Sequence, residues 1–265
     1  MNDYTSSYAQ RYLLYEDAGA HYNSVIANQF EKTIWILEQE VLQDIISYYF
    51  PTTRTKKLLD YACGTGRVIQ FLADSFAWHQ AVGADISLTM LEEAKRHTPS
   101  TTSIKYVVMN AGDEIKNMEQ RFDVLTAFRL FLNLEPENRL KILNGLKKYL
   151  TDDGILIFNN HMNRYSLKGL SAYLLHTLFH RPLKSEALRN EKSVINTLSE
   201  RECRELIEKA GLRVEKVHYI AVLPGHKEWL PFPQTLYLNI ERILMKIPLF
   251  HNFAKDQIYV CRVLD

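Results

Sequence analysis

Apolar positions change their period along the chain. Between residues 24 and 50 they fall at Ile26, Phe30, Ile34, Leu37, Val41, Ile45 and Tyr48, the spacing of one helical face. Pro51 closes that run, because the residue before a proline is pushed out of the helical region. Upstream, Tyr4, Tyr8, Tyr12 and Tyr15 keep the same period and predict an amphipathic helix, lying on the core or forming an aromatic lid over a site. After the linker PTTRT the pattern alternates. KKLLDYA (56–62), QAVGADI (80–86), SIKYVVM (103–109), FDVLTAF (122–128) and GILIFNN (154–160) predict strands. GRVIQFLADSF (66–76), SLTMLEEAKRH (87–97) and PENRLKILNGLKKYL (136–150) predict helices, and TDDG predicts a turn before the fifth strand. Such apolar strands are read as buried on both faces.

The last third is less regular. SERECRELIEKAG (199–211) predicts a helix ending at a glycine, and LRVEKVHYIAVL (212–223) and QIYVCRVL (257–264) predict two more strands. The fold class is therefore α/β: a Rossmann-like, mostly parallel, seven-stranded sheet with helices on both faces. A helical N-terminal cap covers residues 1–50, and helical insertions at 164–196 and 224–256 interrupt the alternation. Both insertions follow strands expected to end on one side of the sheet, where the ligand crevice of an open α/β fold lies. They are read as lids or acceptor-pocket walls of a single domain spanning 1–265, not as a second domain.

Composition narrows the function classes. The chain has 265 residues, 46% hydrophobic and 24% charged, with a net charge of +1, so no long-range field favours nucleic acid. Cys63, Cys203 and Cys261 are few and scattered, which fits neither a disulfide framework nor metal-ligand spacing. The polar, acid-bearing start is not a signal peptide, and no apolar run reaches the roughly 18 residues that span a bilayer. The expected setting is the cytoplasm. The apolar lid stretches LSAYLLHTLFH (170–180) and LYLNIERILMKIP (236–248) leave contact with a membrane surface open.

The chemistry-bearing segment is LLDYACGTG (58–66). Gly64 and Gly66 permit positive φ and close approach of a ligand, and the helix that follows offers free N–H groups. A dinucleotide fingerprint wants a small residue three positions after Gly66, where this chain has Ile69. Asp60 before the loop would repel a phosphate and attract an amino group. A cationic, phosphate-free nucleoside suits both observations. The segment D-x-A-C-G-T-G resembles motif I of class I S-adenosylmethionine-dependent methyltransferases of the small-molecule type, with Ala62 in place of the first glycine. The resemblance runs over about 55–161, the expected cofactor-binding core.

The resemblance implies S-adenosylmethionine as cofactor and S-adenosylhomocysteine as product. It places Asp85 on the ribose hydroxyls, Ile86 on the adenine face, and Asn110 with Ala111 at the adenine edge. Asp60, Tyr61, Ala62 and Gly64 form the loop facing the methionine moiety, Phe128 borders the methyl group, and Tyr22 closes over the methionine carboxylate. For the acceptor, the strand ends offer Arg129 and Asn133, and the polar run FNNHMN (158–163) offers Asn159, Asn160 and Asn163, with His161 as catalytic base just past the fifth strand; His21, His226 and Glu16 are other bases to weigh. The expected partner is a small-molecule acceptor methylated on oxygen: a natural product, a glycoside or a lipid-like compound. N-methylation, a nicotinamide-dependent oxidoreductase and a nucleoside-binding protein without turnover stay open as alternatives, as does the oligomeric state.

Overall fold

Alternation of side-chain direction along each strand divides the core in two. Leu58, Val124, Ile157 and Val260 belong to one buried cluster, while their neighbours Leu59, Leu125, Phe158 and Tyr259 belong to the other. The computed structural model describes residues 28–109, 120–131, 134, 136–166, 170, 198–225 and 229–264. The tyrosine-rich first helix, Tyr22, Asn110, Ala111, Asn133, His226, and most of the 164–196 insertion lie outside the described residues.

The strands are β1 (Lys57–Tyr61), β2 (Gln80–Asp85), β3 (Lys105–Val108), β4 (Phe122–Ala127), β5 (Leu150–Asn160), β6 (Leu212–Ile220) and β7 (Asp256–Val263). They form one sheet in the order β3-β2-β1-β4-β5-β7-β6. Only β7 runs against its neighbours, so the carboxyl ends of β1 to β6 share one edge with the start of β7. The helices are α1 (Gln29–Tyr49), α2 (Arg67–Ser75), α3 (Leu88–His97), α4 (Pro136–Lys147), α5 (Glu200–Lys209), α6 (Gln234–Leu244) and α7 (Pro248–His251). Helices α1, α2 and α6 pack on one face through Ile34, Leu37, Ile69, Leu72 and Tyr237, and α4 and α5 cover the other through Leu143, Leu146, Cys203 and Ile207. Asn28 caps α1 by accepting from the Glu31 N–H, and Ser199 with Glu202 forms a reciprocal capping box on α5.

Two local expectations need correction. The third strand is not buried on both faces: β3 is an edge strand, its Lys105 and Val108 are exposed, and only β2 pairs with it. Residues 151–154 do not separate a helix from a strand. They lie within β5 as an outward bulge, because Phe122 pairs with Leu150 while Val124 pairs with Ile155. The exposed Asp152 and Asp153 occupy the bulge.

The 224–256 insertion departs from the carboxyl end of β6. Its helix α6 lies on α1, joined by Gln234–Thr33 and Arg242–Glu40 contacts and by the Phe30–Tyr237 ring pair. The fully buried Glu241 accepts from the Val222 and Leu223 N–H groups, satisfying the backbone where the insertion leaves the sheet.

Candidate active site at the strand ends

Among the described residues, three other than glycine adopt left-handed φ: Ala62, Arg129 and Ala221. Each follows the carboxyl end of a strand: β1, β4 and β6 respectively. Strain in one zone of the fold is a mark of a functional edge.

The loop after β1 turns through Ala62 (φ 57°), Gly64 (φ 54°) and Gly66 (φ 82°) into α2. The Cys63 N–H donates to the Ala84 carbonyl and the Gly66 N–H to the Cys63 carbonyl, so the loop is tied to β2 and to itself. A methyl group placed on Gly64 would meet nothing within 4 Å, so the loop backbone borders open space. One placed on Gly66 would come within 2.7 Å of Gln70 Nε2 and about 3 Å of Tyr106 and Ala94. Asp85 ends β2 and braces this turn: Oδ2 accepts from the Gly64 N–H at 2.7 Å and Oδ1 from the Ser87 N–H at 2.9 Å. Ser87, not Asp85, caps α3, through its hydroxyl and the Met90 N–H. Burial raises the Asp85 pKa, opposed by its backbone donors. Ile86 is half-buried beside the same turn. Tyr61 is buried in the core.

Asp60 lies deeper. Its Oδ1 accepts from the Thr126 hydroxyl at 2.6 Å, and Oδ2 is buried without a hydrogen-bond partner among the described residues. Burial pushes its carboxyl up to about 7, against the pull of Thr126. A cationic group placed at Oδ2 would restore the lost solvation.

Beyond β4 the chemistry changes to paired charges. Phe128 is buried, and the Arg129 N–H donates to Asn159 Oδ1 at 2.6 Å. The Arg129 guanidinium meets Glu31 of α1 at 2.7 Å, and Lys255 reaches the other Glu31 oxygen at 3.4 Å. Burial would raise the Glu31 carboxyl, but Lys255, Arg129 and His161 together hold it well below the usual carboxylate range. Arg67, the first residue of α2, pairs with buried Glu38 at 3.0 Å and lies 4.2 Å from the Trp35 ring. His161 Nδ1 is 2.7 Å from Oδ1 of fully buried Asp256. Burial lowers the His161 pKa, with Lys255 and Arg129 adding to that and Asp256 opposing it.

The structure thus brings Asp60, Ala62, Gly64, Asp85, Phe128, Arg129 and His161 to one edge. Asn160 is committed elsewhere: its amide donates to the Leu198 carbonyl and to Gln257 Oε1. Asn159, on the opposite face of β5, holds Arg129 instead. Sequence reasoning passed over Glu31, Glu38, Thr126, Lys255 and Asp256. The available signal was the Lys255–Asp256 pair immediately before an apolar strand, where charge must be matched from elsewhere.

Residues 58–154 match the model of the methyltransferase domain family. A malonyl-[acyl-carrier protein] O-methyltransferase of Bacillus cereus is 25% identical over 195 residues, which are 71% of this chain and 67% of that protein. An uncharacterized protein of Rickettsia prowazekii is 31% identical over 107 residues, 40% of this chain and 42% of its own length. The matched stretches thus span between about two fifths and two thirds of these relatives. A magnesium protoporphyrin IX methyltransferase of Synechocystis, solved with bound S-adenosylhomocysteine, shares the fold at a TM-score of 0.58 and 12% identity, covering 95% of this chain and 97% of that one. The chain carries, at residues 58–154, a methyltransferase domain of the S-adenosylmethionine-dependent kind. S-adenosylmethionine is its cofactor, and the nicotinamide and non-catalytic alternatives are set aside. The orphaned Asp60 oxygen and the open space over Gly64 fit that cofactor, which carries an amino group and no phosphate.

Proposed function

We propose that the enzyme methylates an oxygen of a small-molecule acceptor, a natural product, glycoside or lipid-like compound, with His161 as the general base. The observation that carries this reading is the pair of partly buried His161 with fully buried Asp256, at the edge where the cofactor loop ends. In this arrangement the Asp256 carboxylate accepts from Nδ1–H, so the lone pair of His161 lies on Nε2. That nitrogen takes the proton of the acceptor hydroxyl as its oxygen attacks. When bound, S-adenosylmethionine supplies a methyl group on a sulfonium, already electrophilic.

The remaining duties are binding and alignment. Asp85 takes the ribose hydroxyls on the lone pairs that Gly64 and Ser87 leave free, and Ile86 packs on the adenine. Asp60 Oδ2 and the Ala62 carbonyl face the methionine ammonium. Phe128 and Arg129 border the methyl group. The roles of Tyr22, Asn110, Ala111 and Asn133 in the cofactor and acceptor sites stand as proposals from the motif alone.

The test uses methyl-labelled cofactor with cell extract as the source of acceptor. His161→Ala is expected to lower turnover at least roughly tenfold with S-adenosylhomocysteine affinity unchanged. Full activity would sink the base assignment and favour an amine acceptor, which carries its own lone pair.

A further inference from the structure

Methyl transfer as proposed makes no use of Gln70, a half-buried amide on α2 just after the cofactor loop. Glutamine is mostly found exposed on a helix, and a half-buried amide has to be matched by hydrogen bonds. Four oxygens surround the Gln70 Nε2 atom. The Ala94 carbonyl lies at 2.8 Å, and the Thr65 carbonyl, the Thr98 hydroxyl and the Tyr106 hydroxyl each lie at 3.3 Å. Two of the four are carbonyls, which only accept, so the nitrogen of the amide is the atom turned toward them.

Hydrogens in this group can be followed one by one. The Thr98 hydroxyl donates to the Ala94 carbonyl at 2.7 Å. Its oxygen then accepts from the Tyr106 hydroxyl at 2.8 Å, which uses the Tyr106 proton. Burial raises the Tyr106 pKa, so that proton is in place. Toward Gln70 both hydroxyls therefore only accept. One Gln70 hydrogen meets Ala94, whose carbonyl belongs to the open last turn of α3. The other is the hydrogen of this group left for Thr65. The peptide joining Thr65 to Gly66 is thus held at both ends: its N–H donates to the Cys63 carbonyl at 2.9 Å, and its carbonyl accepts from Gln70. Two glycines admit the arrangement. A Cβ on Gly66, where φ is 82°, would stand 2.7 Å from the Gln70 nitrogen, and one on Gly83 of β2 would stand 2.9 Å from the Tyr106 ring. At Gly64 the same loop borders open space.

We propose that Gln70 is a positioning residue for the cofactor, acting through the Thr65–Gly66 peptide rather than by contact. It sets the turn of the loop before the cofactor arrives. A loop held in this way loses little freedom on binding, and the affinity gained is that saved entropy. The inference concerns the cofactor loop alone and stands whether or not His161 is the base.

Calorimetric titration of the whole chain with S-adenosylhomocysteine, well below Tm, tests this without an acceptor. Gln70→Met keeps the length and helix propensity of the side chain and removes both donors. It is expected to weaken binding about fivefold to tenfold. Tyr106→Phe removes a competing acceptor and no donor to the loop, so affinity is expected to stay within about twofold of the wild type while Tm falls. A cluster that only stabilised the fold would move both affinities together with Tm. Amide exchange in the ligand-free wild type needs no variant: the Gly66 N–H is expected to be protected at least about tenfold over an unstructured peptide. In Gln70→Met that protection is expected to be lost and to return when S-adenosylhomocysteine is added. Wild-type affinity in Gln70→Met, equal weakening in the two variants, or an unprotected Gly66 N–H in the wild type would each overturn the proposal.

Discussion

The loop after β1 and the ends of β4, β5 and β7 lie on one edge of the sheet and are built differently. The first is short-range: Ala62, Gly64 and Gly66 turn within five residues, and Asp85 braces them one strand away. The second joins Glu31, Arg129, His161, Lys255 and Asp256 from across the chain, with a Glu31–Lys255 separation of 224 residues. In the proposed function the loop holds the cofactor and the charged cluster borders the acceptor.

The contrast breaks first under pH. Asp60 is raised to about 7, so its neutral form is favoured in the fold, and the stability it contributes is present at low pH and lost as pH rises through 7. In its proposed role facing the cofactor ammonium, Asp60 acts in the ionised form. Affinity for S-adenosylhomocysteine is therefore expected to fall about fiftyfold from pH 7 to 5, and Asp60→Asn to flatten the profile while weakening binding. Calorimetric titration at three pH values would show it. A flat wild-type profile would remove Asp60 from the methionine end.

The cluster makes the opposite linkage. Glu31 is held below the usual carboxylate range by Lys255, Arg129 and His161 against burial, so its contribution is complete above its unfolded pKa and is lost as pH falls below about 4.5. Glu31→Gln removes the carboxylate that lies between buried Lys255 and half-buried Arg129, and is expected to cost about 2 kcal/mol at pH 7. Urea melts from pH 7 to 4 should show the wild type approaching the variant at the acid end. A constant gap would mean that Glu31 acts through packing alone.

These linkages also mark what a sequence can disclose. The glycine turn, Asp60, Asp85 and the helix caps at Ser87 and Ser199 are legible because their partners are near in sequence or fixed by the fold class. Six of the seven strands were placed to within a few residues for the same reason, and the fifth was longer than expected because its bulge looks like a turn. The partner of His161 was not legible. Asp256 faces it only because β7 pairs antiparallel with β5, opposing Asn160 to Gln257, and nothing local to either segment states that register. Glu31 was hidden behind its place in the first turn of α1, where an acid has an ordinary explanation in the helix dipole. The same limit explains Asn159 and Asn160: adjacent amides on opposite faces of β5, one holding Arg129 and the other packed on Leu198.

The smallest effect concerns the one departure from the glycine-rich motif. Ala62 holds φ at 57°, in a region where an L-residue with a Cβ is strained by about 1 kcal/mol or more. Ala62→Gly removes that strain but gives the unfolded chain more freedom, worth a little under 1 kcal/mol in the other direction. The expected net gain is a few tenths of a kcal/mol, read as an increase of about 1–2 °C in Tm. The effect on cofactor binding should be larger than on stability if the strain serves the site, because the Ala62 carbonyl, aimed at the methionine ammonium, would lose its fixed direction. A variant that is more stable yet binds S-adenosylhomocysteine about twofold to threefold more weakly would show that the loop trades stability for a preset carbonyl. One that gains stability with unchanged affinity would reduce Ala62 to a tolerated substitution, and the functional edge would then be marked by Arg129 and Ala221 alone.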